Sequence, residues 1–71
     1  MFKSEKGLEL IRKMYPEGTE VVLDFMDDVQ APPCGTKGTV LCVDGIGQIH
    51  VAWENGSGLA LNVDVDKFHI L

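Results

Sequence analysis

Few side chains in this 71-residue sequence could do chemistry: Cys34 and Cys42, His50 and His69, and the adjacent acids Asp27 and Asp28. A metal site needs ligands at recurring spacings such as CxxC, HxxxH or HExxH, and the sequence holds none of these. His50 and His69 each alternate with apolar neighbours, so both are expected to point outward as solvated strand residues. Cys42 stands in an apolar run and is expected to be buried as a small hydrophobe. Cys34 stands in a loop, with Lys37 as the nearest cation along the chain. General acid–base work needs two carboxylates facing one substrate, which sequence neighbours rarely do. Turn chemistry accounts for Asp27 and Asp28 instead, since Asp side chains accept hydrogen bonds from backbone N–H groups just ahead of them. The stretch also lacks the interleaved oxygen ligands of a calcium loop. No nucleophile–base pair and no GxxxxGK[ST] phosphate cradle stands out, so no catalytic residue, metal or cofactor is assigned, and the chain is read as a non-enzyme.

The elements that carry these residues emerge from periodicity. Ser4 to Met14 reads as a short helix: Leu8, Ile11 and Tyr15 share a face that Leu10 and Met14 extend. Ser4 can cap it, Glu5 near its start and Arg12 and Lys13 near its end suit the dipole, and Pro16 stops it. From Thr19 the period becomes two. "TEVVLDF" puts Val21, Leu23 and Phe25 on one face. "KGTVLCVD" is β-branched and apolar on both faces. "QIHVAW" sends Ile49, Val51 and Trp53 inward. Asn55-Gly56 is a strong hairpin signal, "GLALN" returns as a strand with Leu59 and Leu61 on one face, and "VDVD" is a single tight helical turn or an irregular corner. "KFHIL" closes the chain with Phe68 and Ile70 inward. Five short strands in this order predict a mainly β fold, a small five-stranded SH3-like barrel over residues 16–71, preceded by an amphipathic helix over residues 1–15.

Charge narrows the partners. Residues 1–15 carry four cations and two acids, hence +2; residues 16–71 carry two cations and nine acids, hence −7, together the net −5 of the chain. Such a body repels phosphate backbones, so nucleic acid is an unexpected partner. No apolar run approaches the roughly 20 residues of a membrane helix, and the first residues lack the pattern of a signal peptide. Two cysteines are fewer than a secreted domain this small usually carries, so reduced thiols and a cytoplasmic address are expected.

The segments "YPEGTEVVLDFMDD", "APPCGTKGTV", "GIGQIHVAWENGSGLAL" and "DVDKFHIL" resemble domain-of-unknown-function family 4314, over roughly Tyr15 to Leu71. At Cys34 the pattern calls for proline or another small residue. The resemblance implies an SH3-like fold and an origin among Gram-positive bacteria, their phages and integrative elements. It implies no reaction and no catalytic residue.

The loop Met26–Thr36 is where function is expected. Loops longer than about 12 residues without regular structure are uncommon and often functional; this one, at eleven, is close to that length, and Pro32 and Pro33 stiffen it. Two arrangements are open. Either Met26, Val29 and Pro32 pack inward as a lid on the core, or Val29 and Pro32 form a groove wall beside Trp53, itself either a core residue or a half-exposed binding aromatic. The candidate binding surface is Asp27, Asp28, Val29, Pro32, Pro33 and Trp53. It makes the chain a protein- or peptide-binding module with an unidentified basic or neutral partner, steered by an acidic rim. A homodimer through the N-terminal helix is a further possibility. The alternative function is a nucleic-acid-associated accessory protein of a phage or integrative element.

Overall fold

The computed structural model describes residues 5–71. Helix α1 runs Glu5–Met14, and the expected cap at Ser4 lies outside the described residues. Its last backbone bond is Tyr15 N–H to Ile11 O at 2.9 Å, one residue before Pro16. Ile11 is buried, Leu8 and Tyr15 are half-buried, and the Tyr15 ring lies 5.3 Å from that of Phe68 at 54°. Leu10 and Met14, expected on the same face, are 58% and 50% exposed. At about 100° per residue they sit roughly 60–100° round the helix from Ile11, and a helix this short lays only a narrow stripe on the sheet.

Five antiparallel strands come next: β1 Glu20–Phe25, β2 Lys37–Val43, β3 Gln48–Trp53, β4 Leu61–Asn62 and β5 Lys67–Ile70. They form one sheet in the order β4-β3-β2-β1-β5, with β4 and β5 as its edges. The strand number and the predominance of β structure agree with the sequence reading; the hydrogen-bonded sheet is open rather than closed. The turn after α1 is stitched to β2, with Gly18 N–H on Val40 O and Val40 N–H on Thr19 O, both 2.8 Å.

The alternation puts Val21, Leu23, Val40, Ile49, Val51, Trp53 and Leu61 into one core with Ile11, and Met26, Val43, Val63, Tyr15 and Phe68 pack around it. Three positions depart from simple alternation. The register slips between Leu23 and Phe25, and Phe25 turns outward, 57% exposed. A second slip between Val40 and Cys42 leaves Leu41 without a partner and puts Cys42 opposite His50. Cys42 is therefore exposed, not the buried hydrophobe expected, because the extra residue of a bulge moves the next residues to the other face. Ile70, expected inward, is 48% exposed near the end of an edge strand that has a neighbour on one side only.

The Asn-Gly turn closes as expected, with Gly56 at φ 87° and its N–H on Trp53 O at 2.9 Å. The returning strand starts late, at Leu61. Just ahead of it, Leu59 O accepts from the Trp53 Nε1–H at 2.8 Å. "VDVD" is one turn: Val65 and Asp66 N–H both donate to Asn62 O, and Asn62 N–H returns to Asp66 Oδ2 at 2.8 Å.

Candidate functional site

The first loop is a shaped structure with a tied neck. Leu23, at the end of the β1–β2 ladder, donates to Thr36 O at 2.9 Å and accepts from Gly35 N–H at 2.7 Å. On its outgoing side the Asp28 Oδ1 accepts from Gln30 N–H at 2.7 Å, and Ala31 N–H closes on Asp28 O at 3.0 Å. This is the turn chemistry expected of an Asp at that position. On the returning side Pro33 to Thr36 make a second turn. Its Gly35 has φ 89°, and the Thr36 N–H and hydroxyl both donate to Pro33 O at 3.1 and 2.6 Å. A side chain at Gly35 would force the left-handed region on a residue that resists it.

These two turns divide the candidate residues. Met26 packs on the core and Pro32 is buried, while Asp27, Asp28 and Pro33 face solvent. Val29, at the tip, is fully exposed at 103%. The loop is thus a lid at Met26 and Pro32 and a projecting surface from Asp27 to Val29, a mixture of the two arrangements that the sequence leaves open. Trp53 is 4% exposed and spends its one polar atom on Leu59 O, so it is the core residue of the two alternatives and offers no face to a ligand.

Both histidines have carboxylate partners that the sequence reading missed. His69 Nδ1 lies 2.9 Å from Asp24 Oδ2, across β1 and β5 and 45 residues away in sequence. His50 Nε2 lies 2.9 Å from Asp44 Oδ2. Asp44 Oδ1 also accepts from Ile46 and Gln48 N–H, at 3.0 and 2.9 Å. The bond from His50, then those from the two backbone amides, hold the Asp44 carboxyl below its ordinary range against an opposing effect of burial. The Asp44 turn had a local signal, an Asp just before a Gly-rich tip. The Asp24–His69 pair had none. Among the described residues no group of three or more His, Cys, Asp or Glu is placed to hold a metal ion, and no helix is long and apolar enough to cross a membrane.

Fold and site together define a small mainly β domain of one antiparallel sheet with a helix on its core, carrying an acidic, tied loop. Residues 4–71 match the family described as Domain of unknown function (DUF4314), and the chain belongs to that family. Neither a curated protein nor a solved structure matches the chain.

Proposed function

We propose that the chain is an SH3-like, cytoplasmic, non-enzymatic binding module that takes a basic or neutral protein segment on the loop Met26–Thr36. The observation that carries the reading is Val29, an apolar side chain wholly in solvent at the tip of a loop whose neck is tied by two backbone bonds. A loop ordered before binding loses less conformational entropy on association, and an exposed apolar tip supplies contact area. Asp27 and Asp28 beside it favour a cationic or neutral segment and repel an acidic one. Pro33 and Gly35 hold the returning side, while Met26 and Pro32 anchor the loop to the core. The charge of residues 16–71 argues against nucleic acid as the partner.

Selection of peptides from a random display library on the immobilised protein tests this. Basic or neutral sequences should enrich, and their amide shift changes should map to residues 26–36. The triple variant Asp27→Asn, Asp28→Asn, Val29→Ala should abolish enrichment while keeping the fold, since an asparagine side-chain oxygen in place of the Asp28 carboxylate can still accept from Gln30 N–H. Enrichment that survives the triple variant, or shifts that map elsewhere, would refute the reading.

A further inference from the structure

We propose that Cys42 is a reactive thiol for disulfide exchange, with His50 as its base and Asp44 as the residue that positions His50. The bulge in β2 makes Cys42 the cross-strand partner of His50, so the two side chains stand on one face of the β2–β3 pair. Directly opposed residues hold their Cβ atoms about 4.5–5.5 Å apart. His50 is fixed by its 2.9 Å contact with Asp44, and Asp44 is fixed in turn by two backbone amides. An ionised Asp44 accepts, so Nε2 carries the ring proton and Nδ1 is the nitrogen with a lone pair to accept a proton. Nucleophile, base and orienting carboxylate are thus consecutive along one hairpin face. Among the described residues no hydrogen bond links the Cys42 thiol to the ring; such contacts commonly tighten only when a substrate is engaged.

Access is open. Cys42 is exposed, and together with Leu41 it borders a groove of about 280 Å³ against the end of α1, where Arg12, Tyr15 and Glu17 form the other wall; His50 and Asp44 stand outside that groove, on the β3 side of Cys42. Arg12 and Glu17 are the charged groups of that wall, and Arg12 suits a ligand that bears carboxylates. The co-reactant is a low-molecular-weight disulfide with such groups. In the step, the Cys42 proton passes to His50 Nδ1 as Sγ attacks one sulfur. The S–S bond breaks, and the departing thiolate leaves with the electron pair and takes the proton from His50. Cys42 ends in a mixed disulfide, oxidised by the co-reactant, whose other half is released as a reduced thiol.

Cys34 supplies the internal control: it is also exposed, but sits in the Pro33–Thr36 turn outside the strand ladders. The fully reduced protein is incubated with glutathione disulfide at pH 7, and mixed disulfide at each cysteine is followed by peptide mass spectrometry. Cys42 should react about tenfold faster than Cys34, less than the roughly hundredfold or more that a positioned base contributes in a closed site, because this face is open to water. His50→Gln should remove that advantage, and Asp44→Asn should lower the Cys42 rate, each leaving the Cys34 rate unchanged and the amide spectrum of the strands intact. Equal rates at the two cysteines, or a Cys42 rate indifferent to His50→Gln, would overturn the proposal. An Asp44→Asn variant that left the Cys42 rate alone would overturn the role of Asp44.

Discussion

Replacing Gly38 by alanine tests how the core is closed beneath the first loop. Gly38 lies in β2 between Val21 of β1 and Trp53 of β3. A Cβ built there would stand 2.7 Å from Trp53 Cε3, and closer still to Val51 Cγ1. Carbon atoms in good contact sit about 3.5–4.0 Å apart, so one or both side chains must move. Neither has room, with Val51 1% and Trp53 4% exposed. Overpacking of this kind costs roughly 1–3 kcal/mol. The smaller entropy of the unfolded alanine chain returns about 0.4–1 kcal/mol. The expected net is a loss of about 1–2 kcal/mol, and at roughly 4–8 °C per kcal/mol for a domain of this size the Tm should fall by about 5–15 °C. Differential scanning calorimetry reads this directly. A double-mutant cycle with Val51→Ala separates the clash from other causes: removing Cγ1 clears the tightest contact, so Gly38→Ala should cost at least about 0.5 kcal/mol less in that background. A Tm unchanged by Gly38→Ala, or strictly additive effects, would refute the argument that close approach of Val51 and Trp53 demands glycine.

Other expectations concern hydrogen bonds, backbone and charge. Trp53→Phe removes the Nε1–H donor to Leu59 O and part of a buried ring; it should cost about 1–3 kcal/mol in denaturant unfolding and raise amide exchange across residues 57–60. Gly35→Ala places a side chain at φ 89° and should cost about 1–3 kcal/mol, with shift changes concentrated in residues 26–36. His50→Ala removes the largest cause of the low Asp44 pKa, so the Asp44 carboxyl titration followed by NMR should move up toward the ordinary carboxylate range. Because the folded pKa of Asp44 is depressed, its stabilising effect is present above the ordinary range and fades as pH falls through the lowered value. The stability gap between the protein and Asp44→Asn should therefore narrow on acidification below about pH 4.

The strands were legible because their burial is periodic. Ile49, Val51 and Trp53 alternate with polar or small residues, and all three are core. The glycine and Asp turns were legible too, since φ > 0 and Asx bonding are local demands, seen at Gly56 and Asp28. The expectations for Phe25 and Cys42 were overturned by register slips, which depend on a partner strand and leave no periodic trace. Leu10 and Met14 were misassigned because amphipathicity marks an apolar arc without saying how wide a sheet will cover it.

From the order of its residues alone, this chain declares a short amphipathic helix, five strands with their turns, an acidic body and a long first loop stiffened by two prolines. Those are consequences of neighbour-scale physics: dihedral preference, two- or 3.6-residue periodicity and net charge. Long-range packing and register decided the rest. They buried Trp53 while leaving Val29 in solvent, made glycine necessary at 38, joined His69 to Asp24, and set Cys42 beside a His50 already held by Asp44. Except for Val29 at its loop tip, these depend on residues brought together by strand pairing, and one extra residue in a strand is enough to reassign which side chains meet.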